Sequence, residues 1–174
     1  MTGARAPHRF AAAMLAFAAL LPVAWSLDGV HAALAPVAEW TARAAVLSLE
    51  AIGVEIARSG TALRHAQGFS CDVDLACTGL PIIALAATAL FAWPASWRQR
   101  FCALGIALPT LFAVNQLRIV HLVWIGISAP AQFDFAHDVL WRVASIVLLA
   151  TGWIVWRRLA PAEPLLSLPV HEIA

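Results

Sequence analysis

Three residues of this 174-residue chain have the chemistry for catalysis, and each lies within or beside an apolar stretch. They are Cys77, Arg118 and His137. A thiol and an imidazole are the minimum set for thiol catalysis, because the base converts the thiol into a nucleophilic thiolate. A guanidinium beside them can stabilise the thiolate or the oxyanion of an acyl-transfer step. These residue types predict nucleophilic chemistry, provided that the fold brings them together.

The local sequence around Cys77 gives two opposing indications about its thiol. An apolar run begins at this position, and Pro81 suits the first turn of a helix. The unpaired N–H groups at a helix start favour a thiolate, so we expect a reactive thiol there. Asp72 and Asp74 would raise the pKa of the thiol unless they point away from it.

The composition indicates an integral membrane protein. Hydrophobic residues make up 62% of the chain, charged residues 12%, and the mean hydropathy is +0.82. These values exclude a disordered chain, a collagen-like chain and an ordinary cytosolic enzyme. A net charge of +1 gives no basic field for nucleic acid, and three cysteines are too few for a disulfide scaffold.

We predict an all-α polytopic membrane protein with four transmembrane helices, because uncharged runs of about 18 residues or more are typical of membrane spans. The predicted spans are 10–27, 77–93, 101–127 and 139–156. A cleaved signal peptide is the alternative interpretation of the first run, since basic residues precede it.

The remaining segments complete a single membrane domain over residues 1–158. Residues 31–52 carry Glu39 and Arg43 on one helix face, which favours an amphipathic helix at the interface, although a true span stays open. Residues 54–74 are more polar and predict a small β-hairpin-like flap outside the membrane, with its turn at residues 59–60. The Pro-rich residues 159–174 predict a flexible cytoplasmic tail.

The placement of arginines predicts the orientation and the depth of the polar residues. Six of the eleven arginines lie at the ends that are cytoplasmic if the N-terminus is inside and 31–52 does not cross. Arg118 then lies 17 residues into the third span, about 26 Å above its cytoplasmic start. Cys77 and His137 are expected at the same outer leaflet.

Each of these residues also has a simpler interpretation. Arg118 could be a snorkelling arginine near a helix end, and Cys71 could form a disulfide with Cys77. Cys77, His121 and His137 could supply three metal ligands, but their spacing is not that of a structural zinc site, so we predict no metal and no cofactor. We interpret His121 as structural.

Three segments resemble signatures of the exosortase/archaeosortase family. Ala76-Cys77-Thr78-Gly79-Leu80 resembles its A-C-[ST]-G signature, Asn115-Gln116-Leu117-Arg118-Ile119 its N-x-x-R-I element, and Phe133-Asp134-Phe135-Ala136-His137-Asp138 its final histidine element. The resemblance covers about residues 40–158. Each motif alone is weak, but the three occur in order and at matching topology.

The resemblance implies a cysteine transpeptidase or protease of a bacterial inner membrane, with its active site at the outer, periplasmic face. Carried over residue by residue, it makes Cys77 the nucleophile, His137 the general base and acid, and Arg118 the third catalytic residue. Supporting or substrate-binding positions would be Thr78, Gly79, Asn115 and Asp138. Asn115 is also explained as an interhelical hydrogen-bond partner, and Asp138 as a helix cap.

The implied partners are the lipid bilayer and membrane-anchored substrates that end in a short motif, an apolar helix and a basic tail, as in PEP-CTERM proteins. The sequence does not specify an oligomeric state, and we expect no nucleic acid partner. The alternative hypothesis is a non-catalytic membrane subunit of a polysaccharide or protein export system. In that case Arg118 binds an anionic group and Cys77 is incidental.

Overall fold

The computed structural model describes residues 5–160, and the chain is mainly helical over that range. The elements are α1 Arg5–Trp25, α2 Asp28–Ala51, β1 Ala57–Ser59, β2 Ala62–Arg64, β3 Ser70–Asp72, α3 Leu80–Ala92, α4 Trp97–Ser128, α5 Phe133–Phe135 and α6 Trp141–Leu159. Leu75–Thr78 and Pro130–Gln132 form 3-10 turns, and Ala136–Leu140 forms a π-helical turn. From residue 161 onward, the predicted tail lies outside the described residues.

A sharp bend separates α1 from α2. Ser26 ends the first helix, where its hydroxyl donates to the carbonyl of Val23 at 2.8 Å, and Asp28 opens the second. A carboxylate in a first turn is favourable because it interacts with the helix dipole. The axes of Phe10–Ala24 and Asp28–Ala51 differ by 92°, so the two helices cannot both follow a membrane normal.

The segment after α2 folds into the small flap expected from its polarity, with three antiparallel strands in the order β1-β2-β3. The first strand begins only at Ala57, because the segment before it caps the C-terminus of α2 through Gly53 and Val54. Their N–H groups donate to the carbonyls of Glu50 and Leu49, each at 2.9 Å. Gly60, with φ 62°, forms the turn between the first two strands. The third strand was not predicted.

The flap packs on the C-terminal halves of α2 and α4, and this contact forms the core. Its most buried members are Ala42, Ala45 and Leu49 of α2, Leu63 of β2, Val73 after β3, and Ile119 and Val123 of α4. Gly126 of α4 lies against the Phe69 ring so closely that a Cβ there would overlap it. This contact holds the flap against the C-terminal end of α4, the helix that also contributes to the candidate site.

The predicted span 77–93 is replaced by a 3-10 turn followed by the 13-residue helix α3. At 1.5 Å per residue α3 is about 20 Å long, which is short of a hydrocarbon core of about 30 Å. The helix starts at Leu80 rather than at Cys77 because Gly79, with φ 78° and ψ −3°, breaks the helical path. α3 packs beside α1 and α4.

Two helical stretches of the described residues are long and apolar enough to cross a membrane. They are Trp97–Ser128 and Pro130–Leu159, and a third candidate arises if the bent α1–α2 pair is one broken span. This supports a helical membrane protein with two or three candidate spans. The predicted count of four is wrong because α3 is too short and the predicted span 10–27 counts only as part of the bent pair. The predicted runs 101–127 and 139–156 lie within the two long stretches.

The middle of the last helix, α6, is not buried against the other helices. No residue of its most apolar window is buried. Its C-terminal part contacts the bundle through Trp153, whose ring lies 5.1 Å from that of Phe10 and 5.6 Å from that of Trp93. Its other end is fixed by Trp141, which contacts His121 of α4.

Candidate active site

Cys77 lies in the 3-10 turn Leu75–Thr78, half-buried and just before α3. Asp74 caps this turn, since its carboxylate accepts from the Cys77 N–H at 2.9 Å. The Thr78 hydroxyl closes the other end, where it donates to the carbonyl of Leu75 at 2.7 Å and accepts from the Leu80 N–H at 3.2 Å. The side chains of Asp74 and Thr78 therefore fix the backbone of the turn on both sides of Cys77.

Asn115 of α4 connects this turn to the long helix. Its side-chain amide donates to the backbone carbonyl of Cys77 at 2.9 Å. The two elements approach so closely that a Cβ at Gly79 would lie 3.1 Å from Cγ of Asn115. Glycine is required at position 79 for two reasons, its positive φ and this close approach.

The Cys77 thiol is protonated at neutral pH. Burial raises its pKa from 9.0 to about 11, and the charge of Asp74 and a hydrogen bond with its carboxylate add to the rise. Arg118 opposes the shift through its positive charge. The expectation of a thiolate favoured by a helix start is wrong, because α3 begins after Cys77 and Asp74 is directed at it. Asp72 faces elsewhere, since Thr61 donates to its carboxylate at 2.8 Å.

Arg118 lies beside the histidine, and its charge reaches the thiol. Its Nη2 is 3.5 Å from Nε2 of His137, and its charge acts on Cys77. A guanidinium can only donate, so Nε2 of His137 is the acceptor and carries no proton in this arrangement. Nδ1 then bears the proton and donates to the carboxylate of Asp138 at 3.1 Å. The geometry defines Nε2 as the basic nitrogen, and it faces Arg118.

One further contact holds the imidazole of His137 directly, and another holds its partner Asp138. Phe133 stacks on it with ring centroids 5.9 Å apart and an interplanar angle of 6°. Arg142 donates to the carboxylate of Asp138 at 3.3 Å, so this carboxylate accepts from both sides. His137 itself lies in the π-helical turn, a backbone irregularity that is frequent at functional sites.

A second connection between α4 and α6 lies one helical turn from the first. The indole N–H of Trp141 donates to Nδ1 of His121 at 2.9 Å. His121 follows Arg118 by three positions and Trp141 follows His137 by four, so the two pairs form parallel links between the same elements. The interpretation of His121 as structural agrees with this contact.

A small cleft of about 40 Å³ opens beside Arg118, between α3, α4 and α6. Its polar lining comes from Asn115, Arg118, Trp141 and Ser145, and its apolar wall includes Ile82 and Leu111. A larger cleft of about 360 Å³ lies between the flap and the end of α4 and contains none of the three predicted catalytic residues.

The structure brings Arg118 to both Cys77 and His137, whereas a direct thiol–imidazole hydrogen bond is not formed within residues 5–160. All three cysteines are free, so Cys71 forms no disulfide with Cys77 here. No group of three His, Cys, Asp or Glu side chains in the described range is arranged to hold a metal ion.

Three side chains of this site were not singled out from sequence. They are Phe133, Trp141 and Arg142. Asp74 was expected to raise the pKa of the thiol if it pointed toward it, and only its capping contact was not predicted, although an aspartate three residues before a turn or helix position is a typical cap. Arg142, four residues after Asp138, has the spacing of a helical ion pair. Phe133 and Trp141 carry no such local signal.

Residues 1–151 match the family model described as transmembrane exosortase (Exosortase_EpsH). The chain belongs to the transmembrane exosortase family. The resemblance seen in the three sequence motifs is thereby confirmed for the family. No curated protein and no solved structure matches the chain. As an exosortase, the chain is a membrane protein of the sorting-transpeptidase type, with protease or transpeptidase activity in general terms.

Proposed function

We propose that this exosortase is a membrane-embedded cysteine transpeptidase or protease of a bacterial inner membrane. It cleaves the C-terminal, PEP-CTERM-like sorting signal of exported proteins at the outer face. The observation that carries this proposal is the position of Arg118. Its guanidinium lies 3.5 Å from the basic nitrogen of His137 and acts electrostatically on the Cys77 thiol, although the three residues are far apart in sequence.

The first chemical step needs a base, because the Cys77 thiol is protonated at neutral pH. Nε2 of His137 accepts the Sγ proton as the sulfur attacks the carbonyl carbon of the scissile peptide bond. Substrate entry draws the Arg118 guanidinium onto the carbonyl oxygen, which frees Nε2 and stabilises the developing oxyanion.

The second step breaks the peptide C–N bond and forms the thioester. The protonated His137 gives its proton to the leaving amine, and Asp138 stabilises the imidazolium through the Nδ1–H contact. Water or an amine acceptor then attacks the thioester carbonyl and gives its proton to Nε2, and the proton returns to Sγ. Hydrolysis releases an acid, and transfer to an amine gives a new amide.

The orientation follows from charge and from the substrate. Arginines at the predicted inner ends, among them Arg98, Arg100, Arg157 and Arg158, favour a cytoplasmic location for those ends. The candidate site then lies near the outer leaflet, where the substrate polypeptide leaves its membrane helix. The unburied apolar middle of α6 and the cleft beside Arg118 offer that helix a surface for packing.

The test is processing of a co-expressed reporter that ends in a Pro-Glu-Pro motif, an apolar helix and arginines. Cys77→Ala and Cys77→Ser should abolish its shortening while protein levels stay normal. Cys71→Ala is the matched control, because Cys71 is also a half-buried free thiol but belongs to the flap. Unchanged processing in both Cys77 variants overturns the proposal and favours a non-catalytic membrane subunit.

A further inference from the structure

The third strand of the flap has an open edge with unpaired backbone groups. Leu63 of β2 lies opposite Cys71 of β3, and the N–H of Val73 donates to the carbonyl of Thr61 at 3.1 Å. In an antiparallel pair, hydrogen-bonded positions alternate with positions whose groups point the other way. Since Val73 and Cys71 are directed to β2, the N–H and C=O groups of Ser70 and Asp72 point outward.

Nothing in the sheet of the described residues pairs with that side of β3. The strand order places β2 in the centre and β3 at an edge, and Ser70 and Asp72 are exposed. The opposite edge is different. Arg58, the outward-facing residue of β1, folds its guanidinium back onto the carbonyl of Gly60 at 2.6 Å, and α2 contacts this strand. A charged side chain on an edge strand hinders the addition of another strand. Asp72 of β3 is charged as well, but its carboxylate is engaged within the flap, where it accepts a hydrogen bond from Thr61.

Both ends of β3 lead to elements of the candidate active site. β3 ends at Asp72, and the chain reaches Cys77 only five residues later. At its other end, the Phe69 ring lies 5.8 Å from Phe133, which stacks on His137. The edge therefore extends between the element that carries the thiol and the element that carries the imidazole.

We propose that the open edge of β3 binds the extended segment of the substrate polypeptide next to the scissile bond, as a fourth strand. The occupant is a peptide backbone because the free groups are alternating amide donors and carbonyl acceptors at strand spacing, which is the complement of an extended chain. Ser70 and Asp72 together offer up to four such hydrogen bonds. This inference rests on the proposed function and names how that site holds its substrate.

Strand addition has a consequence for specificity. Main-chain hydrogen bonds are independent of side-chain identity, so they supply affinity for any extended segment. Alternate side chains of the substrate would face away from the flap, and the others would face the elements beneath it. The enzyme then reads only every second residue of this segment.

Proline substitution tests the edge, because proline removes an N–H and is tolerated on edge strands where that group faces outward. Ser70→Pro and Asp72→Pro should each reduce processing of the Pro-Glu-Pro reporter about tenfold, mainly through KM. Arg58→Pro, which removes the outward N–H of the opposite edge, is the matched control and should process it normally.

Folding is checked by alkylation of Cys77, which should proceed at an unchanged rate in the proline variants. Normal processing by both Ser70→Pro and Asp72→Pro overturns the strand proposal, as does an equal loss in Arg58→Pro. Normal processing by Cys77→Ala instead overturns the proposed function, so the two failures are distinguishable.

Disulfide trapping gives a measurement that needs no catalysis. In a background with Cys71, Cys77 and Cys102 all changed to alanine, Ser70→Cys should cross-link to single cysteines placed in turn along the reporter. Cross-links should be strong at alternate reporter positions before the apolar helix and weak between them. A flat profile overturns the proposal, and cross-links between two copies of Ser70→Cys would assign the edge to self-association instead.

Discussion

Asn115 donates a hydrogen bond from its side-chain amide to the backbone carbonyl of Cys77, at 2.9 Å and across 38 positions of sequence. The bond joins the long helix α4 to the turn that carries the thiol. Arg118 lies on the same helix, three residues further on, so the bond also sets the distance between guanidinium and thiol. Asn115 is therefore a positioning residue for Cys77.

Replacing Asn115 by leucine should leave the Cys77 carbonyl without its partner and reduce reporter processing about fivefold, since a neutral hydrogen bond contributes about 1 kcal/mol. Asn115→Asp should fail similarly, because a carboxylate has a similar shape but no N–H to donate. Thr110→Ala, on an exposed face of the same helix, is the control and should process normally. Normal processing by Asn115→Leu would remove the positioning role.

Asp74 should control the reactivity of the thiol. Its charge and its hydrogen bond contribute to the pKa of about 11, so Asp74→Asn should lower that pKa. The thiolate fraction at pH 8 then rises about tenfold for each unit of pKa, and alkylation of Cys77 accelerates about threefold, because a thiolate of lower pKa is a weaker nucleophile. The measurement is the alkylation rate between pH 7 and pH 10 in a background without Cys71 and Cys102.

Asp72→Asn is the matched control for that experiment. Its carboxylate accepts from Thr61 and raises the pKa of Cys71 rather than that of Cys77. The alkylation profile of Cys77 should therefore stay where it is in the unmodified protein. A shift as large as that of Asp74→Asn would show that the effect is a general one of surface charge.

Trp141→Phe should weaken the second link between α4 and α6 while keeping an aromatic ring in place. Without the indole N–H, Nδ1 of His121 loses its donor, and the turn that carries His137 is held less firmly. We expect processing to fall about threefold to tenfold, in kcat more than in KM. His121→Leu should give a similar loss, and the double variant should lose no more than either single one, because both remove one contact. Additive losses would contradict this link.

Gly126→Ala should displace the flap, because its methyl group would overlap the Phe69 ring. Overpacking of this kind costs about 1–3 kcal/mol, and we expect a lower thermal unfolding midpoint together with reduced processing. Gly105→Ala lies on the same helix with open space around the added Cβ and should be neutral or slightly stabilising. Equal midpoints for the two variants would show that Phe69 adapts without cost.

The sequence predicted the helical membrane class, the flap and the exosortase family, because these depend on composition, polarity and contiguous motifs. It misplaced the start of the helix after Cys77, since Gly79 adopts a left-handed conformation and lies against Asn115, a contact that only the fold brings about. The span count of four was wrong because α3 has only 13 residues and the first predicted run counts only as part of the bent α1–α2 pair.

The sequence predicted which residues form the site better than it predicted the contacts that they make. Arg118 and His137 were expected near each other, and their 3.5 Å contact agrees with that expectation. The direction of Asp74 was left open, because a capping side chain can turn toward or away from the residue that follows it. Trp141 could not be recognised, since its partner His121 is 20 positions away and only packing brings them together.

The carboxylate beside the thiol has a consequence for survival of the protein between turnovers. Peroxide and related oxidants attack a thiolate far faster than a protonated thiol, and each further oxidation of the sulfenic acid leads toward irreversible loss. A thiol that stays protonated below a pH of about 11 reacts slowly with oxidants until a base removes its proton. Burial and the charge of Asp74 together thus lower the thiolate fraction of Cys77, and with it the rate of oxidation of the sulfur before substrate binds.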